Sequence, residues 1–157
     1  MKIKFANILN AKETYIVHQC NCVSVKPHGL SKEIAKWYPN NCPYERREPL
    51  KNRNCAKVFE IPGTIKVFDH VICLFAQFGM GKPFTFNNSK KQLHENDTFE
   101  QRKKWFEMCL KQLEAIPGTF ALPFKIGCGL AGGNHEQYLK LIKSCCVADR
   151  ITLYRIE

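Results

Sequence analysis

Four glycines, Gly127, Gly129, Gly132 and Gly133, fall within seven residues of a chain that holds nine in all. They separate an apolar run, Phe120 to Ile126 (FALPFKI), from a segment of helical periodicity that opens at Asn134. Glycine buries almost nothing and loses the most backbone entropy on folding, so this density marks backbone that something must approach closely. A strand, then G-x-G-x-x-G, then a helix start is an arrangement that binds phosphate: bare N–H groups point inward and the helix N-terminus adds positive potential. Gly127, Gly129 and Gly132 spell the dinucleotide fingerprint, but that motif opens a fold with a full second half to follow, and here one helix and one strand remain. The P-loop lysine and hydroxyl are missing, since Asn134 and His135 follow Gly133. The competing reading is a glycine-rich turn with no ligand.

Other residue types that could carry chemistry are read more plainly. The nine cysteines are an odd number, sit mostly inside apolar runs and lack paired CxxC spacing. They are read as reduced thiols that pack, with no metal site and no cofactor. His18 reads as a buried strand residue, His135 as a first-turn helix residue and Lys82 as a solvated lysine within reach of a distal phosphate. The formal net charge is +10. Its densest clusters are Tyr44 to Asn54, Lys90-Lys91 and Arg102-Lys103-Lys104, read individually as solvated surface and together as favouring an anionic ligand. No aromatic-interleaved RNA-binding signature accompanies them.

The elements that must position these residues follow from periodicity. Met1 to Asn7 alternates as a half-exposed strand, and Thr14 to Asn21 is an apolar, β-branched run suited to a strand covered on both faces. Leu30, Ile34, Trp37 and Tyr38 line one side of a helix that Pro39 stops. A polar loop, Asn40 to Asn54, leads to expected strands at Cys55–Ile61 and His70–Phe78, with Pro62 to Thr64 turning between them. Gly79 to Asp97 is a long loop, of a length that in compact domains is functional or disordered. A helix over Thr98–Ala115 opens on a capping box of Thr98 and Gln101, with Phe99, Phe106, Leu110 and Leu113 as its apolar stripe. Phe120 to Ile126 is the next strand, Asn134 caps a helix reaching Val147 with Tyr138, Leu141, Ile142 and Cys145 on one face, and Ile151 to Ile156 closes the sheet. Strands alternating with helices predict one α/β domain over residues 1–157, a three-layer α/β/α sandwich with a mixed central sheet. Ligands in such folds sit outside the carboxyl ends of the strands, where the glycines fall. No apolar run is long enough to span a membrane, and Met1 to Asn10 lacks a signal-peptide core, so the expected setting is cytoplasmic or nuclear.

Two stretches together resemble a known family. Ile16 to Asn21 (IVHQCN), followed by Gly29, Leu30 and a helix, with Pro123 to Gly133 (PFKIGCGLAGG) later, looks like a macro domain. The likeness covers nearly the whole chain and is nearest the compact branch of phages, bacteria, large DNA viruses and yeast. It implies ADP-ribose in a cleft across the strand ends of a mixed sheet. By position, Asn7 and Ile8 fall where the family has Asp-Ile against the adenine, with Asn7 an uncharged replacement whose carbonyl oxygen can still accept the adenine amine. Asn21 matches the asparagine on the distal ribose, and Gly29 and Leu30 the first phosphate-side loop. Gly127, Cys128, Gly129, Leu130, Ala131, Gly132 and Gly133 match the diphosphate loop, and Tyr154 an aromatic flanking the adenine.

The resemblance implies chemistry less firmly than binding. Relatives that attack the distal ribose with a lysine, helped by an aspartate after GCGL, have no counterpart here: the positions read Ala76 to Gly79 and Ala131. Relatives that pair an asparagine with a first-loop histidine leave Asn21 and His28, the histidine two places from its usual position. His28 is therefore a candidate acid or base, or an exposed loop histidine. The implied activity is hydrolysis of a group on the distal ribose, either the phosphate of ADP-ribose 1''-phosphate or an ADP-ribosyl link to protein or nucleic acid, by a monomer. The alternatives are an ADP-ribose-binding module without turnover and a basic RNA-binding domain.

Overall fold

The computed structural model describes residues 1–51, 53–83 and 96–156. Lys90-Lys91, most of the Gly79–Asp97 loop and Asn52 of the Tyr44–Asn54 cluster lie outside the described residues. Six strands, β1 (Lys2–Phe5), β2 (Tyr15–Gln19), β3 (Ile65–Phe68), β4 (Val71–Leu74), β5 (Phe120–Pro123) and β6 (Ile151–Arg155), form one sheet in the order β1-β6-β5-β2-β4-β3. Every pairing is parallel except β3 with β4. The central strands are continuous apolar runs, as burial on both faces requires: Ile16, Val17 and all four residues of β4 are fully buried.

Among the described residues three α-helices cover the sheet: α1 (Gly29–Trp37), α2 (Phe99–Gln112) and α3 (His135–Ser144). Successive strand residues face opposite ways, so β2 locates the layers. His18 bonds Ser31 of α1, whereas Gln19 lies against Gly127 and Tyr138 on the side of α3. The Phe106 ring of α2 meets Tyr138 at 4.8 Å between centroids, so α2 and α3 share that side. The result is the expected three-layer α/β/α sandwich on a mixed sheet. The caps also behave as their residue types demand: Thr98 accepts from the Gln101 N–H and Asn134 from the Gln137 N–H. None of the described helices is long and apolar enough to cross a membrane.

One strand lies elsewhere than its periodicity predicts. Cys55–Ile61 is not a strand; it makes a single bridge, Pro49 to Ala56, and leaves Val58 and Ile61 exposed. The place beside β4 is taken by Ile65–Phe68. Phe68 pairs with Val71, which makes Asp69-His70 a two-residue hairpin turn, with Asp69 at φ 36°. A two-residue turn closes far less loop than the longer connection from Cys55–Ile61, and aspartate tolerates the left-handed backbone it needs. β5 also ends early, at Pro123, because Lys125 to Cys128 turns back on itself through a Cys128 N–H to Lys125 carbonyl bond.

Candidate functional site

A cavity of about 540 Å³ opens at the carboxyl ends of β2 and β5, within the size range of small-molecule sites. Its lining includes His18, Gln19 and Asn21 from the end of β2, and Gly29, Leu30 and Ser31 from the first turn of α1. Gln77, Met80 and Gly81 beyond β4, and the stretch Lys125 to Gly127 with Gly129 to Ala131, complete the walls. His28 stands exposed at the rim as the residue before α1, and its side chain makes no cap bond.

The glycine loop is shaped for close approach. Its turns are closed by Gly132 N–H to the Gly129 carbonyl and Gly133 N–H to the Gly127 carbonyl. The N–H groups of Gly127, Gly129, Leu130 and Ala131 have no hydrogen-bond partner among the described residues. A Cβ on Gly127 would run into the Tyr138 ring, and its φ of 75° is left-handed, so only glycine fits there. Gly129 faces open space, with nothing within 4 Å of an added Cβ. Across from this loop, the first-turn N–H groups of α1 have no intrahelical acceptor, so the glycine loop and one helix N-terminus both line the cavity.

Behind the loop lies a residue whose role its sequence neighbours concealed. Arg102, read with Lys103 and Lys104 as surface, is 1% exposed. Its guanidinium grips Asp97 in a fork, Nε to Oδ1 at 2.7 Å and Nη2 to Oδ2 at 2.9 Å. The remaining N–H groups reach the carbonyls of Gly79, Gly81 and Ala131, while Asp97 Oδ2 accepts from the Gly79 N–H. One buried ion pair thus ties the segment after β4 to the glycine loop. Arg102 sits on the inward stripe of α2 with Phe106 and Cys109, a position its helical spacing gives but its charge disguised.

Asn21 lies at the cavity floor, 8% exposed, and its side chain is already engaged. Oδ1 accepts from the Val23 and Ser24 N–H groups, and Nδ2 donates to Ser24 Oγ. One amide hydrogen remains for a ligand. Arg47 donates to the Asn21 and Ser24 carbonyls, which fixes the same turn. The Cys128 thiol is pushed up to about 11 by burial, with Lys125 opposing, so it stays protonated at neutral pH. Described lining residues include no carboxylate.

The expected adenine-side residues stand apart from this cavity. Asn7 and Ile8 do not line it: Asn7 Oδ1 accepts from the Leu9 N–H at 3.0 Å, capping a short turn, and Ile8 is buried. Tyr154 is 5% exposed and donates its hydroxyl to Glu13 at 2.6 Å. Cys128, Gly132 and Gly133 support the loop from outside the lining, and the Lys82 stem lies against Gly132. Conversely, Gln19, Ser31, Tyr44, Gln77, Met80 and Lys125 join the lining unanticipated. Gln19 had a signal, since it alternates with His18 at the end of a buried strand.

The Glu13–Tyr154 tie carries a pH dependence. Burial pushes the Glu13 carboxyl up, but hydrogen bonds from Tyr154, its own backbone and Thr152, with the charge of Lys4, outweigh it, and the net direction is down. A carboxylate whose folded value lies below its unfolded one stabilises the fold above the unfolded value, and this is lost as pH falls through the folded value. Tyr154→Phe is therefore expected to be slightly less stable than wild type near neutrality, with the difference vanishing in acid. Urea unfolding of both proteins across pH checks this; a gap unchanged into acid contradicts it.

No protein-family model matches the chain, and no curated protein matches it. Solved structures do. A structure described as an alphavirus P23pro-zbd is 16% identical over 99% of this chain, with a TM-score of 0.63, and the match spans 21% of that chain. A Bacteroides thetaiotaomicron protein of unknown function is 18% identical, with 98% of this chain and 96% of that one covered and a TM-score of 0.61. The macrodomain of Thermus aquaticus DarG is 16% identical, with 99% and 97% covered and a TM-score of 0.62. At these identities the likeness is one of architecture, and with its six-stranded mixed sheet between helices the chain has the macrodomain fold.

Proposed function

We propose that the cavity binds ADP-ribose and that the protein hydrolyses a group on its distal ribose. The observation that carries this is that the N–H groups of Gly127, Gly129, Leu130 and Ala131, unpartnered among the described residues, belong to a loop that lines a cavity at the strand ends together with the first turn of α1. A diphosphate satisfies both sets of donors, and the positive balance of the chain favours its approach. Asn21 at the floor then holds the distal ribose with its one free amide hydrogen, and His28 at the rim supplies or removes the proton. Candidate substrates are ADP-ribose 1''-phosphate, which water splits into ADP-ribose and phosphate, and ADP-ribosyl conjugates, which water splits into ADP-ribose and the freed protein or nucleic acid.

Asn21→Ala is the test, because Asn21→Asp would add a charge beside an anionic ligand. The alanine removes the ribose donor together with the acceptor for the Val23 and Ser24 N–H groups, so the denaturant midpoint is measured alongside. Losing one hydrogen bond lowers ADP-ribose affinity by about 0.5–1.5 kcal/mol, whereas misplacing the reacting centre lowers turnover on the order of a hundredfold. His28→Ala is expected to lower turnover and flatten one limb of the pH profile. Calorimetry and turnover on a panel of ADP-ribose 1''-phosphate, ADP-ribosylated peptide and ADP-ribosylated DNA measure both. Full activity in His28→Ala removes the histidine from the mechanism.

A second reading, a binding module without turnover, is favoured by one observation: the described lining residues offer no carboxylate as a base. Tight ADP-ribose binding with no turnover across the panel selects it.

A further inference from the structure

Beneath the cavity floor, on the α1 face of the sheet, three donor side chains meet. His18 and Cys20 alternate on and beyond β2, and Cys73 is the register partner of His18 on β4, so the pleat puts all three on one side. His18 Nε2 lies 3.4 Å from Cys73 Sγ and 3.6 Å from Cys20 Sγ. All three donor atoms lie within 4.8 Å of one another, and all three residues are buried. A tetrahedral ion with Zn–S near 2.3 Å and Zn–N near 2.0–2.1 Å holds its nitrogen and sulfur ligands about 3.5 Å apart. The other ring nitrogen, Nδ1, lies 3.0 Å from Ser31 Oγ, the partner that orients a metal-ligating histidine.

Packing alone does not account for this group. The strand neighbours on that face, Ile16 and Val71, are aliphatic and fully buried, and a 2% exposed imidazole is costly beside them. Its Nε2 has only thiols for partners, the weakest in the side-chain inventory.

We infer that His18, Cys20 and Cys73 form a binding site for a thiophilic d10 cation, Zn(II) or Cu(I). Binding releases the two thiol protons, leaves the imidazole neutral, and sets two thiolates against the cation with no change of oxidation state. His18 and Ser31 also line the cavity, so the ion would sit just under its floor, reached from that side. The spacing His18-x-Cys20 was visible in the sequence, but the third ligand is on another strand, and the thiols read as packing. The inference is independent of the proposed ADP-ribose activity.

The test uses the full chain, reduced and chelator-stripped, with Cys145 and the exposed Cys146 changed to serine to remove an adventitious thiol pair. Anaerobic titration with Co(II) is expected to give one equivalent of a tetrahedral spectrum with an intense thiolate-to-cobalt band, which Zn(II) bleaches. In a parallel arm, Cu(I) is expected to stay with the protein against a copper(I) chelator if that is the preferred ion. Cys73→Ser should abolish either signal. If Cys73→Ser does not fold, the wild-type titrations still decide. No thiolate band and no retained copper overturn the site, as does a band that survives Cys20→Ser with Cys73→Ser.

Discussion

Gly129→Glu should lose ADP-ribose binding by about a hundredfold or more while unfolding at the wild-type denaturant midpoint. Two like charges 4 Å apart repel by about 4 kcal/mol at an effective dielectric of 20, more than enough for that loss against a diphosphate. The folded state tolerates the change, because nothing lies within 4 Å of the new Cβ and Gly129 is not among the residues at positive φ. Substitutions facing solvent in this way usually alter stability by about 0.5 kcal/mol or less. Its neighbours do not offer so clean an experiment. A Cβ on Gly133 would meet the Gly127 carbonyl oxygen at 2.5 Å, and Gly132 has a φ of 74°. Loss of binding in those variants reports a damaged loop. Calorimetry with ADP-ribose on Gly129→Glu and on Gly129→Ala separates charge from bulk, and undiminished affinity in folded Gly129→Glu removes the diphosphate from this loop.

Arg102→Met should cost about 3–5 kcal/mol of folding free energy, as removal of one partner from a buried ion pair does. The methionine fills much of the arginine stem's volume, so the loss comes from electrostatics more than from a void. Asp97 is left 6% exposed without its counter-charge, and the Gly81 and Ala131 carbonyls lose their donor. The same bond set ties the segment after β4 to the glycine loop, so ADP-ribose affinity should fall with stability. Guanidinium unfolding measures the first effect. The double change Asp97→Asn with Arg102→Met should recover part of it, and a loss below about 1 kcal/mol in the single variant would match an exposed pair instead.

How far the sequence carries the fold depends on how local the signal is. The capped helices are legible because Thr98 and Asn134 sit three residues before the N–H groups they accept from. The central strands are legible because burial on both faces writes an unbroken apolar run. The β3 edge is not, since Ile65 to Phe68 is half exposed and its identity rests on a tight turn at Asp69-His70 rather than on hydrophobicity. The glycine loop and Asn21 could be picked out by composition and resemblance, and both line the cavity apart from the supporting Cys128, Gly132 and Gly133. Arg102 and the His18–Cys20–Cys73 group were not, because burial of a charge or convergence of donors is decided by partners far along the chain.

The sheet order also bears on how the chain is made. β1 has one neighbour, β6, with Lys2 opposite Thr152. On the ribosome β1 must wait until Thr152 and its neighbours have emerged before it can pair, and β5 likewise lacks its β6 neighbour until residue 155 is free. Contacts of such sequence separation form late and slowly. Until then the apolar residues of β5 present an open edge, and nascent chains meet one another most readily at such an edge. The glycine loop follows β5 directly, so its geometry is completed only once β6 has emerged and seals the strand that leads into it.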